Sequence, residues 1–452
     1  MKRDVVIIGG SAAGLMAGIT LKKRTSDKTV TVIRNVERSL VPCGIPYIYG
    51  IMGSVEKDLI PDQGFIDQGI EILQREVTDI DRSAKEVVCA DGDRIGYGKL
   101  IITTGSKPFI PPLPGIDKNN VYPINKDPKY LEKLYETLTP AKNVVVIGGG
   151  FIGVEMAEQI ARMGENEGSA KQVTVVEMLP HCLLLACEEE FCLEIEEELK
   201  NIGIEVKTNS QAEEITGSDN ADGVRLASGE ILPADVVIIG IGAQANIDLA
   251  QKCGINADKR NGIKVDTFMQ TDDPDIFAAG DCAAKFSCIT GKPSGIRLAS
   301  VACNEGMIAA SNLYDKKRET LGALGAFSTK VGQRAIGAAG LTSKAAADEG
   351  IEVIVGEAIS PNRHPGHLPG AVAEMKIKLL FRHDNGKVIG GHVSGGEATS
   401  DMVNIIAVAI QAGLTAEQLA VMQYATHPLL TSSPLSYHVM LAAENAALQF
   451  KN

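Results

Sequence analysis

One local pattern occurs twice in this chain and leaves few folds open to it. A short β-branched run enters a glycine-rich turn, and a helix opens directly from that turn. Asp4-Val5-Val6-Ile7-Ile8 leads into Gly9-Gly10-Ser11-Ala12-Ala13-Gly14 and a helical stretch to Arg24. Asn143-Val144-Val145-Val146-Ile147 leads into Gly148-Gly149-Gly150-Phe151-Ile152-Gly153, with Val154-Glu155 opening the helix. Runs of this kind read as parallel strands buried on both faces. The turn gathers backbone N–H groups and a helix N-terminus around a pyrophosphate. The second copy has all three fingerprint glycines, and its next strand, Val173 to Val176, ends in Glu177, 24 residues after Gly153. A carboxylate there binds both ribose hydroxyls and repels a 2′-phosphate, which favours NADH over NADPH. In the first copy Ser11 replaces the middle glycine. The strand Thr29 to Ile33 is followed by Arg34 where an acid is expected, with Asn35 or Glu37 as substitutes for the ribose contact. Two such turns in one chain imply a bound cofactor and an exchangeable one, with hydride passing between them.

The 452 residues are enough for about three domains. A net charge of −13 argues against nucleic-acid or anionic-membrane binding. There is no apolar run long enough for a transmembrane span, and the start leads straight into a strand without a signal peptide. Nine cysteines without a CxxC pair or zinc-type spacing read as reduced thiols, a cytoplasmic location and no metal site. Cys182, Cys187 and Cys192 fall on an expected helix as structural residues. Pro108 to Gly115 reads as a linker. Further buried strands end at Thr103-Thr104-Gly105 and Ile239-Gly240. Another ends at Gly280-Asp281, which puts Asp281 at a sheet's carboxyl edge, where ligands bind. From Leu321 onward alternating strands precede apolar helices at Met402 to Ala412 and Tyr437 to Leu448, a separate α+β domain.

Ser39-Leu40-Val41-Pro42-Cys43-Gly44-Ile45-Pro46-Tyr47 displays one cysteine between proline and glycine. A helix beginning after it would favour thiolate over thiol. A lone sulfur can form a mixed disulfide with an outside thiol or be oxidised to sulfenic acid. A buried cysteine packing as a small apolar residue is the plainer alternative.

Together these residues resemble the FAD-dependent pyridine nucleotide–disulfide oxidoreductases, over essentially the whole chain. The resemblance implies an α/β chain with two Rossmann-like dinucleotide-binding domains, for FAD and NADH, and a C-terminal α+β dimerisation domain. The expected limits are 1–115 and 248–320 for FAD, 116–247 for NADH and 321–452 for dimerisation. It assigns Gly9, Ser11, Ala12, Ala13, Gly14, Arg34, Asn35, Pro42, Thr103, Thr104, Gly105, Gly280 and Asp281 to FAD. It assigns Gly148, Gly150, Phe151, Ile152, Gly153, Glu155, Glu177 and Gly242 to NADH. Relatives with a redox pair carry a second cysteine five positions before the first; here that position is Arg38. The single-cysteine loop is similar to CoA-disulfide and CoA-persulfide reductases, and more loosely to NADH oxidases and peroxidases. The expected enzyme is therefore an NADH-dependent reductase of CoA disulfide, CoA persulfide or a similar sulfur compound through Cys43. The alternatives are an NADH oxidase or peroxidase working through a cysteine sulfenic acid, and a flavoprotein that reduces a small redox protein. Ser39, Lys22, Lys23 and His367 are expected substrate contacts, the lysines on CoA phosphates; a solvated basic face is the equal alternative for the lysines. Tyr424 and His427 are candidates for proton transfer across a homodimer interface. His427-Pro428 resembles the His-Pro of lipoamide dehydrogenase, with Ser432 standing where an orienting glutamate is usual.

Overall fold

The computed structural model describes residues 2–166, 168–365, 367–371 and 374–451. The chain divides into two units. One comprises Met1–Ile110, Pro123–Pro140 and Gly242–Ala323; the other comprises Pro111–Tyr122, Ala141–Ile241 and Leu324–Asn452.

The first unit is built on β1 (Lys2–Ile8), α1 (Ala12–Arg24) and β2 (Val30–Arg34). Parallel strands run in the order Ile70–Gln74, β2, β1, Arg94–Ile102, and Ile276–Ala278 joins the last of these in parallel. The β-branched run of β1 explains its central position. Val6 and Ile8 pack into one apolar cluster and Val5 and Ile7 into another, so both faces of the sheet are covered. Glu86–Cys89 turns at Asp91-Gly92 and pairs antiparallel with Arg94–Ile102.

The second unit holds a like parallel sheet, Glu205–Lys207, Gln172–Val176, Asn143–Ile147, Val236–Ile239. It also holds a five-stranded antiparallel sheet spanning Ala326–Val331 to Val388–Gly395, with helices Thr399–Ala412 and His438–Ala447. Two expectations differ from what is found. Helix Pro128–Leu138 falls in the first unit, not with the second nucleotide fold. Its apolar residues Leu131, Leu134 and Leu138 are buried, and Tyr49 stacks on its Tyr135 with ring centroids 6.0 Å apart. Of the three spaced cysteines only Cys192 lies on helix Glu189–Asn201; Cys182 and Cys187 precede it in turns. No helix among the described residues is long and apolar enough to cross a membrane.

Candidate active site

Each unit carries one glycine turn, and each turn is pinned from outside. Gly9 takes φ +111°, and a Cβ on it would collide with the Thr103 carbonyl oxygen. Thr103 closes over the turn through its hydroxyl, which donates to Ile8 O (2.8 Å) and Gly9 O (3.0 Å). Ser11 is the N-cap of α1 without a side-chain cap bond, and the helix has no acid in its first turn. Ala12, Ala13 and Gly14 supply that turn, so the helix N-terminus keeps its positive end free for an anion. The residues therefore fit a bound dinucleotide.

The Gly280-Asp281 turn belongs to the same unit. Gly280 N donates to Glu305 Oε2 (2.8 Å), and Lys285 bridges Glu305 Oε2 (2.9 Å) and Gly280 O (2.6 Å), both side chains being buried. Asp281 accepts from Ser106 Oγ (2.8 Å) and Lys126 Nζ (3.2 Å). Thr104 Oγ1 donates to Asn246 O (2.7 Å), and Gly105 turns the chain at φ +68°. Lys285, Glu305, Ser106 and Lys126 gave no sign in the sequence, because single charged and hydroxyl residues lack a motif.

Cys43 sits in a 3₁₀ turn, Pro42–Gly44, and it alone of the nine cysteines is exposed; the other eight are buried or half-buried. The helix expected after it is a single π turn, Ile48–Met52. Arg38, five residues before the sulfur, is paired with Glu56 at 2.7 Å. Asp58 is buried with Oδ2 unpartnered, and burial raises its carboxyl to about 6. Its Oδ1 lies where a Cβ on Gly44 would be. Glycine is needed after the cysteine because this carboxyl fills the space.

Ser39 is buried and its hydroxyl donates to Gly10 O, so it braces the glycine turn. Lys22 closes the end of α1 by donating to Ser26 O and Lys28 O, each at 3.0 Å. Lys23 remains exposed. Arg34 is buried and forked onto Asp62, and Asn35 is exposed.

In the second unit a Cβ on Gly153 would collide with Gly148 O, which enforces the close approach of helix Phe151–Asn166 to the turn. Ile152 and Gly150 are exposed. Glu177 Oε2 accepts from Gly149 N (2.6 Å) and Oε1 from Leu179 N (2.7 Å). Thr329 Oγ1 donates to Glu155 Oε1 at 2.7 Å, while burial lifts the Glu155 carboxyl to about 7. Phe151 packs on Phe327 with centroids 4.8 Å apart. Gly242, assigned by resemblance to NADH, begins the return to the first unit, its carbonyl accepting from Phe109 N at 3.0 Å.

Tyr424 and His427 also lie in the second unit. Tyr424 donates to Pro434 O (2.8 Å) and stacks on Tyr437 at 4.1 Å. His427 is exposed, and its Nδ1 accepts from Leu429 N at 3.2 Å, which leaves the ring hydrogen on Nε2. Ser432 is buried with its hydroxyl unpartnered. His367 is exposed, and no cluster of metal-ligating side chains occurs among the described residues.

Residues 3–306 match the family model for pyridine nucleotide-disulphide oxidoreductases, and residues 327–436 match the dimerisation domain of the same family. An NADH oxidase from Methanocaldococcus jannaschii is 32% identical, covering 99% of both chains. An NAD(P)H coenzyme A polysulfide/persulfide reductase from Pyrococcus horikoshii is 30% identical, covering 92% of each. A solved NAD-dependent persulfide reductase from A. fulgidus superimposes with a TM-score of 0.90 at 30% identity, over 100% of this chain and 84% of that one. The paired glycine turns, the Thr103 and Asp281 edges and the C-terminal sheet thus have one common source, and the chain belongs to the pyridine nucleotide-disulphide oxidoreductase family, enzymes that use FAD and NAD(P)H.

Proposed function

We propose that the protein is an NADH-dependent reductase of CoA disulfide, CoA persulfide or a related small sulfur compound, with Cys43 as the sulfur that exchanges. The observation that carries this reading is the exposure of Cys43 in a loop whose position 38 is an ion-paired arginine. Without a resolving cysteine in that loop, the sulfur's partner comes from outside. The Cys43 thiolate attacks one sulfur of R–S–S–R, forming Cys43–S–S–R and releasing RS⁻, which takes a proton. Two electrons, ultimately from the nicotinamide, then cleave Cys43–S–S–R to the Cys43 thiolate and a second RS⁻. Bound FAD supplies the electron-relay chemistry between nicotinamide and sulfur.

The chain's own residues bind and orient. Gly9 to Gly14 and Thr103 hold the flavin dinucleotide, with Asp281 as an acceptor fixed by Ser106 and Lys126. Gly148 to Gly153 hold the nicotinamide dinucleotide, and Glu155 is kept in place by Thr329. Glu177, its carboxylate fixed by two backbone N–H groups, supports NADH over NADPH. Lys23 remains for CoA phosphates once Lys22 is discounted. Tyr424 and His427 serve as proton donors in a homodimer, consistent with the dimerisation-domain match. Nine cysteines without a CxxC pair support a cytoplasmic setting.

A second reading has its own support in the 32% identical NADH oxidase: Cys43 cycling through sulfenic acid, with oxygen or peroxide as acceptor. Anaerobic turnover separates the two. With CoA disulfide or CoA persulfide, NADH consumption should match thiol release and be lost in Cys43→Ser. NADH consumed at an appreciable rate only with oxygen or peroxide would overturn the reductase reading. Full activity of Cys43→Ser with a small redox protein would point instead to an electron-transfer flavoprotein.

A further inference from the structure

Besides Ser11 in place of the middle glycine, the two glycine folds differ at the end of the second strand. In the second fold the strand Gln172–Val176 is followed by Glu177, whose carboxylate holds Gly149 N at 2.6 Å. At the corresponding place in the first fold, β2 ends in Arg34. Its methylenes lie against the turn, where a Cβ on Gly10 would be 2.8 Å from Arg34 Cδ. Its guanidinium forks onto the Asp62 carboxylate, Nη1 to Oδ1 at 2.8 Å and Nη2 to Oδ2 at 2.5 Å. Nε donates to Val36 O at 3.2 Å, and Nη2 also donates to Glu37 O.

An arginine ending this strand is ordinarily the mark of a 2′-phosphate. Here the guanidinium is only 3% exposed and already neutralised, so it has no charge to offer a phosphate. The Asp62 side chain is 23% exposed. Each of its oxygens takes one arginine bond, and a carboxylate oxygen has two acceptor positions. The pair thus brings an oriented acceptor to the strand end, from a segment 28 residues further along the chain.

We propose that Asp62 accepts the adenosine-ribose hydroxyls of FAD and that Arg34 is its positioning residue. The missing acid has been moved to another loop and is held at the site by a rigid fork.

The test exchanges the flavin of the full-length holoenzyme in an equimolar mixture of FAD and its 2′-deoxyadenosine analogue, and measures the bound ratio chromatographically. The native protein should retain FAD over the analogue by at least tenfold. Asp62→Asn alone strands a buried guanidinium, so the informative variant is Arg34→Met with Asp62→Asn, which removes both charges. It should take the two flavins nearly equally. Arg34→Glu with Asp62→Asn, which restores an acid at the strand end, should recover the preference. A native protein that does not discriminate, or an Arg34→Met/Asp62→Asn protein that discriminates as well as the native one, overturns the proposal.

Discussion

Two carboxyls, the half-buried Glu155 and the buried Asp58, carry the pH behaviour of single residues. Glu155 is raised to about 7 by burial, against the lowering effect of the Thr329 hydrogen bond. The folded state therefore binds its proton more tightly than the unfolded chain does. Stability from this group is full below pH about 4.5, falls as pH rises, and is lost by about 7, a change of about 3 kcal/mol. Denaturant titrations of Glu155→Gln at pH 5 and pH 8 should show that dependence removed. If Glu155 meets the nicotinamide, the KM for NADH should also lose an inflection near 7. Asp58 follows the same sign between its ordinary range and about 6, with burial as its cause. Asp58→Asn should raise the melting temperature at pH 8 relative to the native protein and leave it unchanged near pH 4. Neither residue was singled out for its titration from the sequence, since a carboxyl's environment is made by tertiary packing.

At the scale of elements, the Cys43 turn and the segment ending at Asp58 fit only as a pair. Gly44→Ala drives a methyl group into Asp58 Oδ1. Overpacking of this kind costs about 1–3 kcal/mol, and chemical denaturation should register it. Combining Gly44→Ala with Asp58→Ala should recover most of the loss. A simple additive loss in the double variant would show that the two residues do not share the space. This scale was also the most legible one. Strand, glycine turn and helix are fixed by local sterics, so both nucleotide folds could be read directly. Thr103 and Asp281 are expected at the flavin because they sit at strand ends with glycine beside them. The bond from Ser39 to Gly10 O is not legible, because the two lie 29 residues apart and meet only in the folded chain, whereas Lys22 reaches carbonyls just beyond α1. Arg34 stood out as a departure, but its partner Asp62 lies in a segment without a motif.

For the whole molecule the matched dimerisation domain leads to a test of assembly. Its C-terminal stretch exposes Leu429 (52%), Leu430 (66%) and Leu435 (87%), a patch of apolar side chains of the kind that a second copy covers. Leu430→Asp with Leu435→Asp should shift sedimentation from dimer to monomer without loss of bound flavin. Coenzyme choice is tested over the same whole reaction. Glu177→Ser should raise the NADPH to NADH ratio of kcat/KM by tenfold or more, since it removes the carboxylate that repels a 2′-phosphate.

The strand Ile276–Ala278 pairs with Arg94–Ile102, yet the chain must pass through nearly half of another unit before reaching it. On the ribosome, at about 5–20 residues per second, that strand emerges roughly ten to thirty seconds after its neighbour. Through that interval the nascent sheet has an open edge, which places the greatest risk of aggregation, and the greatest need for a chaperone, before the polypeptide is complete.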